Sequence, residues 1–140
     1  MRLSTKGQYG VLAMYELARH YGDGPVSIKE IAAEQQFSDA YMEQLFASLK
    51  KAGLVRSLRG ARGGYQLAKE PDQISVGEII DALEGPIEFS ACVGGPDGYV
   101  CKRSAGCVTK NLWKDIQDSI RNIIDNRSLQ DLVDQGRSND

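Results

Sequence analysis

Apolar side chains recur at spacings of three and four along most of the chain, and four serines stand where such runs begin. The spacing predicts helices, and the serines predict where they start. Ser27-Ile-Lys-Glu30 reads as a capping box, in which Ser27 and Glu30 satisfy each other's free backbone donors. Val26 and Ile31 flank it as a hydrophobic staple. Ser38 caps a second helix, about Asp39 to Ala52, stapled by Phe37 and Met42. This helix turns Leu45, Phe46 and Leu49 inward and leaves Ser38, Tyr41, Glu43, Gln44 and Ser48 for another surface. Only Gln36 and Phe37 separate the two helices. That is helix-turn-helix spacing, although the usual turn glycine is missing.

After Gly53 the pattern changes to strands. Leu54-Val-Arg-Ser-Leu58 is rich in β-forming residues, and Tyr65-Gln-Leu67 alternates apolar and polar. Between them, Arg59-Gly-Ala-Arg-Gly-Gly64 has three glycines for a tight hairpin. Arg59 and Arg62 at its tip suit a narrow, negative minor groove. A solvated hairpin would carry the same charges. The order of helix pair, turn and basic wing favours DNA.

On either side the helical pattern returns. A first helix, about Thr5 to Tyr21, is expected to bury Val11, Leu12, Tyr15, Leu17, Ala18 and Tyr21, with His20 on the surface near its end. Ser75-Val-Gly-Glu78 reads as a third capping box, opening a helix that should pack under the wing and end at Gly85-Pro86. A glycine-rich segment from Ile87 to Thr109 has no periodicity and holds all three cysteines. A long helix from about Val108 to Asn126 then repeats Leu112, Trp113, Ile116, Ile120, Ile123 and Ile124, a broad apolar face that little remaining chain is left to cover. Ser128-Leu-Gln-Asp131 caps a last short turn with Leu129, Leu132 and Val133.

The predicted fold class is therefore mainly α with a small β-wing. Residues 1–85 form a winged helix-turn-helix DNA-binding domain, 86–108 a cysteine-bearing loop, 109–134 a dimerisation helix with a short final turn, and 135–140 a flexible tail. A second copy of the long helix is the natural cover for its apolar face, which predicts a homodimer on two-fold related half-sites of double-stranded DNA.

Composition sharpens this in two places. The net charge of −2 looks wrong for a DNA binder. However, the first 70 residues hold 10 Lys/Arg against 7 Asp/Glu, a net +3, and the remainder hold 7 against 12, a net −5. The basic half is the half with the helix-turn-helix, as phosphate neutralisation requires. The start, Met1-Arg-Leu-Ser-Thr-Lys6, runs into an amphipathic pattern instead of an apolar signal segment, and no run is long enough for a membrane span. The expectation is a cytoplasmic protein whose cysteines are not by default disulfides.

Cys92, Cys101 and Cys107 follow C-x8-C-x5-C, an odd number that pairing cannot exhaust. The CxxC or Cys/His spacing of structural zinc is absent. Thiolates on a flexible glycine-containing loop suit an iron–sulfur cluster, with Lys102 and Arg103 offsetting its negative charge. Spacing alone weighs that site evenly against incidental loop cysteines.

Four segments carry a resemblance: Met1-Arg-Leu-Ser-Thr-Lys-Gly-Gln-Tyr9, Ser38-Asp-Ala-Tyr-Met-Glu-Gln-Leu45, Arg59-Gly-Ala-Arg-Gly-Gly-Tyr65 and Cys107-Val-Thr-Lys-Asn-Leu-Trp113. Together they resemble the family of winged-helix regulators typified by the bacterial iron–sulfur cluster regulator IscR, which also contains CymR and NsrR. The likeness spans nearly the whole chain, to about Val133. It implies a homodimer built on the long helix. Cys92, Cys101 and Cys107 are implied as metal ligands of a cluster, [2Fe–2S] in IscR, with [4Fe–4S] also open. It further implies DNA contacts by Ser38, Tyr41, Glu43, Gln44 and Arg59, and a cluster state that changes DNA-site preference. Glu43 matches the residue that disfavours one site class in the cluster-free form. A carboxylate there can accept from a cytosine amino group but repels phosphate and base acceptors. CymR-type members lack these cysteines, so the loop argues for the cluster-bearing branch. One departure concerns the fourth ligand. Lys110 stands where the enterobacterial pattern has a histidine, and an ammonium has no lone pair to give iron. Solvent, a small thiol, a carboxylate or a residue from a partner's first helix, the region of Gln8 here, remain open for that position. The first cysteine gap is also longer than in that pattern.

The leading expectation is a dimeric regulator of iron–sulfur cluster biogenesis genes. A nitric oxide or thiol-redox sensing repressor of the same family is the first alternative, and a winged-helix protein-interaction module without DNA binding the second. No nucleophile–base pair, phosphate loop or catalytic histidine set is visible in the spacing, so an enzyme is least expected.

Overall fold

The computed structural model describes residues 4–86 and 108–138. Cys92, Cys101 and Cys107, with the rest of the 87–107 segment, lie outside the described residues, as do Arg2 and the last two residues. The elements are α1 (Thr5–Arg19), α2 (Ile28–Gln35), α3 (Asp39–Lys51), β1 (Val55–Leu58), β2 (Gly64–Leu67), a 3-10 turn (Pro71–Gln73), α4 (Val76–Glu84), α5 (Lys110–Asp125) and α6 (Leu129–Ser138). Among the described residues no helix is long and apolar enough to cross a membrane.

The serine caps set the helix starts as local chemistry requires. Ser27 Oγ accepts from the Glu30 N–H at 3.2 Å, and the Glu30 carboxylate accepts from the Ser27 N–H at 3.0 Å. Ser128 and Asp131 form the same reciprocal pair. Ser38 and Ser75 accept from the Tyr41 and Glu78 N–H groups at 3.2 and 3.1 Å. Glu78 does not close a box as expected. Its carboxylate meets Lys69 Nζ at 3.3 Å, a longer-range partner that the local motif does not reveal. The glycine missing from the helix-turn-helix is replaced by strain: Gln36 ends α2 in the left-handed region at φ 59°.

The two strands pair antiparallel, Val55 opposite Leu67 through Leu58 opposite Gly64. Val26, on the way into α2, adds a bridge to the hairpin: its N–H and carbonyl exchange hydrogen bonds with Tyr65, both at 2.8 Å. Gly64 sits against that junction at φ 151°, where a Cβ would run into the Val26 backbone.

One core joins α1, α2, α3, α4, α6 and the hairpin through Met14, Leu17, Ile31, Met42, Leu45, Phe46, Leu49, Leu67, Ile74, Ile79 and Leu129. Three features differ from the sequence expectation. The buried side of α1 is Gly7, Gly10, Ala13, Met14, Glu16, Leu17 and Ala18, while Leu12 is 41% and Tyr21 48% exposed. The small residues win because α1 and α4 pack closely, with Leu83 filling the space that a side chain at Gly10 would need. Second, α4 packs mainly on α1 and α3, and it meets the wing side through the Lys69–Glu78 ion pair just past β2. Third, the last turn is a helix of ten residues reaching Ser138. Leu129 and Val133 anchor it in the core, and Gly136 clears room for the Tyr15 ring.

Glu16 is the one buried charged residue of the described chain. Arg19 reaches its carboxylate at 3.1 Å and Gln35 Nε2 donates to it at 3.2 Å, so the charge is paired. His20 is exposed at the end of α1.

Candidate nucleic-acid interface

The second helix of the helix-turn-helix, α3, is held on three sides. At its start, Tyr9 of α1 packs on Phe37 of the turn with ring centroids 4.0 Å apart. Tyr41 meets both rings edge-on, at 5.9 Å from Tyr9 and 6.5 Å from Phe37. In its middle, Phe46 stacks on Tyr65 of β2 at 4.7 Å. Toward its end, Lys50 Nζ donates to Ser57 Oγ of β1 at 2.8 Å. Helix and wing are therefore joined at Phe46–Tyr65 and at Lys50–Ser57.

This frame displays the sequence-predicted residues in two groups. Ser38, Glu43 and Gln44 are exposed along the first turns of α3, and Tyr41 is half-buried in the aromatic cluster. Ser38 uses its oxygen lone pair for capping, which leaves its hydroxyl proton to donate outward. The free N–H groups of the first turn and the positive end of the helix favour an anion there. Arg59 and Arg62 are exposed on the hairpin tip, where Gly60 at φ 108° and a Gly63 N–H to Gly60 carbonyl bond of 3.0 Å tighten the turn. Among the described residues neither arginine is in an ion pair, so both guanidinium groups keep their donors for another partner. Tyr9 and Lys50 are the positioning residues that sequence reasoning missed. Their partners are 28 and 7 residues away or more, beyond any local periodicity.

The sequence model of the Rrf2 family, described as iron-dependent transcriptional regulators, matches residues 3–135. The chain belongs to the Rrf2 family. It is 45% identical over 133 residues to the transcriptional regulator CymR of Bacillus subtilis, covering 95% of this chain and 90% of that one. It is 41% identical over 133 residues to IscR of Aliivibrio salmonicida, covering 95% and 77%. The solved structure of T. potens IscR superposes with a TM-score of 0.79 at 46% identity, covering 97% of this chain and 88% of that one. The protein is accordingly a DNA-binding transcription regulator of the Rrf2 family and not an enzyme, with the winged-helix architecture expected from its pattern.

The Rrf2 chain has a second surface to account for. No residue of α5 is buried. Leu112 and Ile123 are 50% and 56% exposed, and Trp113, Ile116, Ile120 and Ile124 are half-buried. Among the described residues no group of three His, Cys, Asp or Glu side chains is placed to hold a metal ion.

Proposed function

We propose that the chain is a homodimeric regulator whose three cysteines carry an iron–sulfur cluster, and whose cluster state changes which DNA sites it binds. The reading helix would contact two-fold related half-sites through Ser38, Tyr41, Glu43 and Gln44, and the wing through Arg59 and Arg62. The controlled genes would be those of cluster biogenesis. The observation that carries this reading is the donor chemistry: three thiols in a glycine-rich segment that runs directly into α5. Such a set fits a [2Fe–2S] cluster, with [4Fe–4S] as the other nuclearity. The bound cluster supplies a labile metal centre that responds to iron and oxidants. The chain's own part would be to hold that centre on the segment that leads into α5, the helix with the exposed apolar face. That helix is the contact through which two copies would meet. Three thiolates make a more labile site than four, which suits a sensor.

Anaerobic purification with absorption and Mössbauer spectra, plus iron and sulfide counts, tests the cofactor. A Cys92, Cys101 and Cys107 triple substitution to alanine tests the switch, by titration against two operator classes with circular dichroism as the fold control. Stoichiometric iron and sulfide in the triple variant would remove the ligand assignment. A cluster-free variant that binds both operators as the holo-protein does would remove the switch. Glu43→Ala should relax the cluster-free protein's discrimination between operators.

A second reading stays within the family, to whose CymR and IscR members the chain is about equally similar, at 45% and 41% identity. In it the same cysteines serve a nitric oxide or thiol-redox sensing repressor of the same family. Cluster-free anaerobic protein whose DNA affinity follows thiol oxidation supports this second reading over the first.

A further inference from the structure

The joint between α5 and the reader is built around one arginine. Arg121 Nη1 and Nη2 donate to the two oxygens of Asp81 on α4 at 2.7 and 2.9 Å. The same guanidinium reaches Asp125, one turn further along α5, through Nε at 3.0 Å and Nη2 at 2.5 Å. These hydrogen bonds, to Asp81 first and Asp125 second, raise the Arg121 pKa, so the side chain stays charged. Opposite this pair α4 carries a glycine. A methyl group at Gly77 would collide with the Asp125 carboxylate and press on the guanidinium. Gly77 and Asp81 are four apart on α4, and Arg121 and Asp125 four apart on α5, so each pair lies on one face of its helix. The two faces interlock, notch against carboxylate and guanidinium against carboxylate.

Below this clamp the chain is tied to the core. Val76 N–H donates to the Arg127 carbonyl at 2.8 Å and Leu129 N–H to the Ile74 carbonyl at 2.9 Å. Above it α5 runs toward Val108, which is 93% exposed. The arm from Arg121 to Lys110 is about 16 Å at the helical rise. A tilt of a few degrees at the clamp therefore moves its far end by roughly an ångström. On the reader side, α4 packs directly on α3.

We propose that Arg121 is a positioning residue for DNA recognition: clamped between Asp81 and Asp125 over the Gly77 notch, it fixes the angle of α5 to the reader and so the separation of two reading helices. This rests on the dimeric DNA-binding reading above. Arginine is needed because one planar fork serves two carboxylates at once, which a lysine point charge cannot do.

The test uses the full-length dimer and an operator selected in vitro with the wild-type protein, together with copies of it that have one base pair added or removed between half-sites. The wild type should prefer the selected spacing by roughly tenfold. Arg121→Gln should reduce that preference to about twofold, and Arg121→Lys should fall between, while affinity for an isolated half-site is unchanged. Gly77→Ala is the independent variant. Alanine is the better helix former, so its fold should hold while the pair is pushed out and spacing preference falls. Variants that lose thermal stability but keep the wild-type spacing preference would reduce the clamp to an ordinary structural contact and overturn the proposal. A wild type that is monomeric, or that binds no duplex, would instead overturn the dimeric reading and the proposal with it.

Discussion

Met14, Met42, Phe46 and Ile79 in the winged-helix body are fully buried, whereas no residue of α5 is, although α5 repeats its apolar positions just as regularly. The body closes on itself: α3 finds α1, α2, α4 and the wing within the same chain. α5 packs on α4, and the polar Arg121 clamp marks that side. Periodicity specifies that a helix has an apolar face. It does not specify what covers it. In the body the cover is the chain itself; on α5 a second copy is the expected cover.

The strongest way to break this contrast is Ile116→Asp. A carboxylate buried without a partner in each half of a symmetric contact costs several kcal/mol. Sedimentation should therefore show monomer, with the circular dichroism of the body kept. A dimer that survives this change would move the interface off α5. In the body, Phe46→Ala should lower unfolding stability by about 3–5 kcal/mol in denaturant titration. It also removes the stack on Tyr65, so protection of the wing amides in hydrogen exchange should fall with it. An effect under 1 kcal/mol, in the sense of an ordinary surface change, would mean that helix and wing are less united than their geometry implies.

A smaller effect separates reading from folding. Arg59→Ala should leave stability unchanged and weaken specific DNA binding by roughly 1–3 kcal/mol if the guanidinium reads a base edge, and by less if it only touches phosphate. Equal affinities for variant and wild type across salt concentrations would take the wing out of the interface. The smallest expected change is a gain. Gln36→Gly relieves a left-handed glutamine in the helix-turn-helix and should stabilise the body by about 0.5–1 kcal/mol, read as a raised melting temperature.

The helix starts, the helix-turn-helix spacing, the hairpin and the exposed arginines were legible in the sequence because each depends on residues within a few positions of one another. A serine that accepts from an N–H three residues on needs no distant partner, and Ser27, Ser38, Ser75 and Ser128 all do so. Tertiary structure decided which face of α1 is buried, since apolar residues lie on more than one side and only the close approach of Leu83 to Gly10 selects among them. It also decided the length of α6, the union of Tyr9 with Phe37 and Tyr41, and the pairing of Arg121 with Asp81 forty residues away. Those contacts join segments that the chain brings together only by folding, and their energies depend on distances that local spacing does not encode.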